Sequence, residues 1–226
     1  MREEAAAAVG NKSRRETSAR AVLLRSASEL MIEQETYDVS LHAIAKRAGV
    51  TAPLVKYHFG NREGLLFALV ERDTARSLTQ LKELTVMPLP PVTKLKFHIT
   101  GIIRSYSRYP YLNGLLNHLL RDTQSEASEQ TKNYFIQPLI NAQRAIIEEG
   151  VADGSFKPID PNEAYFIIIG ACQYLFASRV AFRNMMNGRL CEDDFVRDYA
   201  ATVVDVVISG LINRRSAHGG ISEAPF

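Results

Sequence analysis

Residues 40–62, SLHAIAKRAGVTAPLVKYHFGNR, constrain the fold more than any other part of the chain. Ser40 is a good N-cap for a helix over Leu41–Ala48, because its hydroxyl can accept an otherwise unpaired N–H of the first turn. Gly49 stops that helix where a left-handed residue is required. Thr51 caps the next helix, and Pro53 sits in its first turn, where a missing N–H costs nothing. Gly60-Asn61 ends it. Three slots of this hairpin are sterically demanding. Ala45 is small where the helices cross, Gly49 makes the turn, and Val55 fills the seam, with Ile44, Ala48 and Leu54 completing the small core. Val50 plugs the turn. Thr51, Ala52, Pro53, Lys56 and Tyr57 are then left facing outward. This is the layout of a helix-turn-helix, whose second helix can enter a DNA groove.

Charge supports that reading. Residues 12–62 hold nine lysines and arginines against five acids, a surplus of four. The whole chain of 226 residues is at +2, so the remainder carries −2. A basic end on a mildly acidic body suits phosphate contact through one domain only, although clustering on a solvated face would look the same. Arg62 opens a helix, where its side chain and free backbone N–H groups can grip one phosphate. Lys46 and Arg47 lie on the helix that crosses the backbone. Lys12, Arg14 and Arg15 form a basic arm within a disordered stretch, residues 1–16.

The rest of the pattern is helical, giving an all-α chain. Ser18 caps a helix running to about Glu33, and Tyr37 packs under the next one. Helices follow over 62–84, 93–108, 111–121, 126–152 with a kink at Pro138, 162–186, and from Glu192 or Asp193 to about Leu211. The break Asn187-Gly188 separates the last two, and a disordered tail, 216–226, ends the chain. The helix-turn-helix domain spans 17–64 and a helical regulatory and dimerisation domain 65–215. The apolar run 164–178 is too short to span about 30 Å of hydrocarbon and reads as a core helix, so no membrane partner is expected. Cys172 and Cys191 give neither a disulfide framework nor a zinc spacing, and read as reduced thiols of a cytoplasmic protein. No metal site and no cofactor are implied.

The residues around the turn resemble the Tet repressor (TetR) family of bacterial regulators. The likeness rests on Ser40, Ile44-Ala45, Ala48-Gly49-Val50 and above all Tyr57-His58-Phe59-Gly60-Asn61-Arg62-Glu63, followed by Leu65-Leu66. It implies a three-helix DNA-binding domain tied by a fourth helix to an all-helical domain that dimerises through its last two long helices and holds a small molecule. By this resemblance Thr51, Ala52, Pro53 and Lys56 face base edges, while Ser40, Tyr57, His58 and Arg62 hold phosphates. Lys56 departs from the tyrosine usual in that slot; a lysine there can donate to a guanine edge or meet a phosphate.

Residues expected to line an apolar effector pocket are Phe97, Ile102, Tyr106, Leu115, His118, Phe135, Ile169, Gln173 and Phe176. Each is equally an ordinary core residue by type. Ala164, Ile168, Val180, Tyr199, Val203, Val207 and Leu211 form the expected homodimer stripe. The partners implied are a palindromic double-stranded DNA operator, a second copy of the chain and an unidentified small-molecule effector, in a repressor. The alternative is a small helical ligand carrier or enzyme whose N-terminal helices bind a protein. Against it, no nucleophile, base or metal ligands stand at catalytic spacing.

Overall fold

The computed structural model describes residues 19–182, 184–185 and 192–213. The basic arm, the Ser18 cap, Asn187-Gly188, Cys191 and the tail lie outside the described residues. The elements are α1 (residues 19–33), α2 (Leu41–Ala48), α3 (Ala52–Phe59), α4 (Arg62–Val86), α5 (Pro91–Arg108), α6 (Leu112–Arg121), α7 (Glu126–Thr131), a π turn (Lys132–Ile136), α8 (Gln137–Ala152), α9 (Pro161–Phe182) and α10 (Asp193–Leu211). The described residues contain no strand, only an isolated bridge between Phe156 and Ile212.

The chain divides into two compact units. One comprises residues to Asp73 plus Tyr109–Thr131; the other comprises Thr74–Arg108 and the residues from Lys132 onward. The division falls inside α4, nine residues beyond the boundary expected at 64, and α6 and α7 join the helix-turn-helix unit.

In the first unit Leu23, Ala27 and Met31 of α1 are buried, as are Ile44, Ala45, Val55, Leu65, Leu66 and Leu69. Leu112, Leu115, Leu116 and Leu119 bring α6 into the same unit with a buried face. A polar cluster ties three of its elements: Tyr111 donates to Asp73 Oδ2, lies 2.8 Å from Ser28 Oγ, and Arg72 Nε donates to Asp73 Oδ1 at 2.7 Å. Burial beside the Asp73 carboxylate raises the Tyr111 pKa well above its ordinary value, so the phenol remains a donor.

In the second unit α5 packs on α8, α9 and α10. Leu95, Ile99 and Ile103 of α5, Ile146 and Ile147 of α8, Ala164, Ile168 and Cys172 of α9, and Val203 and Val207 of α10 form its core. Burial pushes the Cys172 thiol up to about 12, so it sits there as a small apolar side chain. Phe156, 1% exposed, anchors the α8–α9 connection, and Lys157 N–H donates to Leu211 O at the end of α10.

Two helices differ from expectation. The 126–152 helix does not bend at Pro138 alone. A π turn over Lys132–Ile136 precedes it, and Pro138 falls in the first turn of α8. The proline has no N–H to give and its ring crowds the carbonyl four residues back; the wider turn relieves both. The second correction concerns α9, which runs 22 residues and is long and apolar enough, by length and composition, to cross a membrane. It is not a fully enclosed core helix either: only 17% of its apolar window is buried.

Candidate DNA-binding face and effector core

The turn forms as its caps dictate. Ser40 Oγ accepts from Ala43 N–H at 3.1 Å. Gly49 is left-handed at φ 68°, and its N–H and that of Val50 close on the carbonyls of Lys46 and Ala45. Thr51 holds the N-cap position of α3 without a side-chain cap bond, so its hydroxyl is available for other partners. Val55 is fully buried against the seam, as the sequence required.

The opposite face of α3 is open. Thr51, Pro53 and Lys56 are exposed, Ala52 and His58 are half-buried, and Tyr57 is 69% exposed with its ring edge against His58. From Val39 to Arg62 there is no acidic residue, while Lys46, Arg47, Lys56 and Arg62 supply four cations. That segment brings cations and no carboxylate of its own toward a polyanion.

Two of the expected phosphate ligands are already engaged. Arg47 does not present a free guanidinium: it reaches back to Glu33, whose second oxygen it also holds, and lies 3.6 Å from Glu29. That pairing holds the Glu33 carboxyl below its usual range. Arg47 is therefore a brace between α1 and α2, whereas Lys46, exposed beside it, keeps a free head among its described contacts. Arg62 is held by Asp38 at 2.7 Å and by His118 Nε2 at 3.2 Å, with its guanidinium near the Tyr37 ring. Asn61 caps α4 by accepting from Gly64 N–H at 2.8 Å, which takes one of the N–H groups expected to be free for a phosphate.

His118 and Leu115 were expected at the effector and are not in the second unit. Both belong to α6, in the helix-turn-helix unit, where Leu115 is fully buried and His118 lies against Tyr37, the ring centres 5.2 Å apart and the planes tilted by 33°. Gly114 allows this approach: a Cβ there would lie 2.8 Å from Tyr37 Cδ1. The sequence separation of 56 between Arg62 and His118 hid the contact from any local reading.

Phe97 is also corrected. It is 58% exposed, because His98 and Ile99 of α5 take the inward positions. Tyr106 and Phe176 do meet in the interior, their rings stacked with centres 6.0 Å apart. Phe135 is buried, and Ile102, Ile169 and Gln173 are half-buried. Gln143 was not among the residues expected to line the pocket. His98 and Gln143 are both buried and lie 3.2 Å apart between α5 and α8.

Most of the expected dimer stripe packs inside its own subunit. Ala164, Ile168, Val203, Val207 and Leu211 are buried, and Tyr199 donates its hydroxyl to Ala171 O. Val180 is exposed. The open apolar residues of these two helices are instead Phe166, Ile167, Tyr174 and Val206, each more than half exposed. Helical periodicity groups residues on a face but does not say which face turns inward.

Comparison with known proteins agrees with this architecture. Residues 23–69 match the family described as bacterial regulatory proteins, tetR family, and residues 88–217 the family described as tetracyclin repressor-like, C-terminal domain. The chain is 28% identical over 198 residues to the HTH-type transcriptional regulatory protein RaaS of Mycobacterium tuberculosis, spanning 86% of this chain and 88% of that one. It is 23% identical over 212 residues to the transcriptional regulator RutR of Escherichia coli, spanning 93% and 99%. Among solved structures, the regulator FadR of Bacillus subtilis, in complex with stearoyl-CoA, superposes with a TM-score of 0.66 at 21% identity, over 84% of this chain and 98% of that one. The ketosteroid regulator KstR2 of Mycobacterium tuberculosis does so at 0.67 and 14%, over 86% and 95%. A helix-turn-helix with an open cationic ridge, followed by a helical domain that matches its own family over 130 residues, leads to one assignment: the chain belongs to the TetR family of bacterial DNA-binding transcriptional regulators.

Proposed function

We propose that the protein is a cytoplasmic, homodimeric repressor that inserts α3 into the major groove of a palindromic operator and is controlled by a small molecule held in the second unit. One observation carries this reading. The ridge Thr51–Tyr57 is solvent-facing while Val55, on its other side, is locked into the core. A recognition helix needs that arrangement. Thr51, Ala52, Pro53 and Lys56 would read bases, and Ser40, Lys46, Tyr57, His58 and Arg62 would position the helix on phosphates.

Dimerisation would use the outward faces of α9 and α10. Phe166, Ile167, Tyr174 and Val206 leave an apolar surface that a second copy would cover. An effector would act through α4, whose residues are shared between the two units. It changes DNA affinity only if it binds one spacing of the recognition helices better than the other. The neighbour FadR was solved with stearoyl-CoA, so a bundle of this fold can take a ligand with a long apolar part.

DNA selected from a random library, followed by a salt titration of binding, tests the proposal. Selection should yield an inverted repeat. Tyr57→Ala and Arg62→Ala should weaken all sequences alike and flatten the salt dependence, Arg62→Ala by about one phosphate. Lys56→Ala should change base preference if Lys56 reads a base. Unchanged affinity in the Tyr57→Ala, Arg62→Ala double variant refutes the docking.

A further inference from the structure

We infer that Gln143, oriented by His98, is the polar end of the effector site, and that the effector is an uncharged, mainly apolar molecule with a carbonyl oxygen that accepts from Gln143 Nε2. The inference rests on the regulator reading above and adds the chemistry of the ligand.

The pairing between α5 and α8 sets the geometry. Lys94 Nζ donates to both carboxylate oxygens of Glu149, at 3.0 and 2.8 Å, and to Thr85 O at 3.1 Å. One turn along α5, His98 Nε2 meets Gln143 Oε1 at 3.2 Å. As the α5 residue number rises from 94 to 98, its α8 partner falls from 149 to 143, so the two helices run antiparallel. Continuing the same two faces by one and two turns leads to Ile102 and Tyr106 on α5, and to Leu139 and Phe135 on the other side. Tyr106 stacks on Phe176 of α9. The seam therefore passes from a satisfied ion pair, through one histidine–glutamine pair, into apolar and aromatic side chains.

At the middle step one group has no partner. Gln143 is 0% exposed, and its Nε2 makes no hydrogen bond. Leaving such a donor buried and unpaired is costly, and native structures seldom do so without a reason. By contrast, all three protons of Lys94 are used, so the seam is not loosely built.

The chemistry of the missing partner follows from what surrounds it. Gln143 Nε2 only donates, so it calls for an acceptor. His98 is wholly buried and neutral, its pKa pushed down to about 4 by desolvation, and it supplies no counter-charge near pH 7. The Lys94 charge is already matched by Glu149. A carboxylate would thus be buried without compensation, whereas a ketone, ester or amide carbonyl would not.

Binding of 2-nonanone and of nonanoate to the full chain at pH 7 tests the assignment, read by calorimetry and by the side-chain amide resonances of Gln143. The ketone should bind at least about tenfold more tightly than the carboxylate and shift the Gln143 amide protons. Gln143→Met, similar in volume, should weaken the ketone by about tenfold, one hydrogen bond's worth. Equal affinities, an unshifted Gln143 amide in the wild type, or no binding of either probe overturns the assignment; the amide readout needs no variant. Retention of the selected operator DNA is measured alongside. Intact retention with failed ketone binding removes the effector assignment alone, while absent retention removes the regulator reading.

Discussion

Arg62 Nη1 lies 3.2 Å from His118 Nε2, and its other terminal nitrogen holds Asp38 at 2.7 Å. The first residue of α4, proposed above to meet a DNA phosphate, is thus set by a side chain of α6 and shares its charge with a carboxylate. The guanidinium side chain is 26% exposed and Asp38 is 77% exposed, so solvent screens the pair and a phosphate can compete for it.

Asp38→Asn should tighten DNA binding. The carboxylate both occupies Arg62 and repels the backbone. Its removal is expected to raise affinity by about two- to fivefold at low salt, since an exposed pair is worth on the order of 0.2–1 kcal/mol. Fluorescence anisotropy with operator DNA measures this. A loss of affinity would show instead that Asp38 holds Arg62 in its binding pose.

Gly49→Ala should destabilise the helix-turn-helix. At φ 68° the residue is left-handed, and a Cβ there costs about 1–2 kcal/mol, although no atom lies within 4 Å to clash with it. Thermal melting should fall, and DNA affinity should fall with it as α3 loses its set angle. A variant with unchanged melting contradicts the turn geometry.

Tyr174→Asp and Val206→Asp should dissociate the proposed dimer while the subunit stays folded. Both side chains are mostly exposed, so a charge there meets water in the free subunit and an apolar surface in the dimer. Sedimentation should report a species near 25.2 kDa instead of twice that. Ile168→Ala, on the buried face of the same helix, should cost about 2–4 kcal/mol of subunit stability, because it opens a cavity. Subunits that remain associated with both aspartates in place rule out this surface.

Stability should fall as pH drops through the range below neutrality. His98 titrates near 4 in the folded chain and near about 6.5 unfolded, so between those values the unfolded state binds more protons. The stability conferred by the neutral ring is complete above about pH 6.5 and is lost as pH falls toward 4, roughly 3 kcal/mol in all. Urea melts of wild type and His98→Leu across pH 7 to 4 isolate it: the variant should lose that part of the slope. Parallel slopes would show that His98 is not buried neutral.

Much of the helix-turn-helix was legible from neighbouring residues. The bounds of α2 follow from Ser40 and Gly49, and the buried position of Val55 follows from the apolar seam. Pro138 signalled a break in its helix, but a break in a long helix can be a bend or a π turn, and here it is a π turn over Lys132–Ile136. Arg47 looked free because Glu29 and Glu33 stand on another helix. His98 and Gln143, 45 residues apart, carry no local sign of each other.

The amino-acid order by itself settled the bounds of α2 and the turn about Gly49, since capping and backbone preference act over a few residues. Only the tertiary fold decided that Ile168 and Val207 go inside while Tyr174 and Val206 face out, and that His118 meets Arg62. The physical reason is that a period of 3.6 residues defines faces of equal apolar character, and the choice among them depends on what distant segments bring to pack against each.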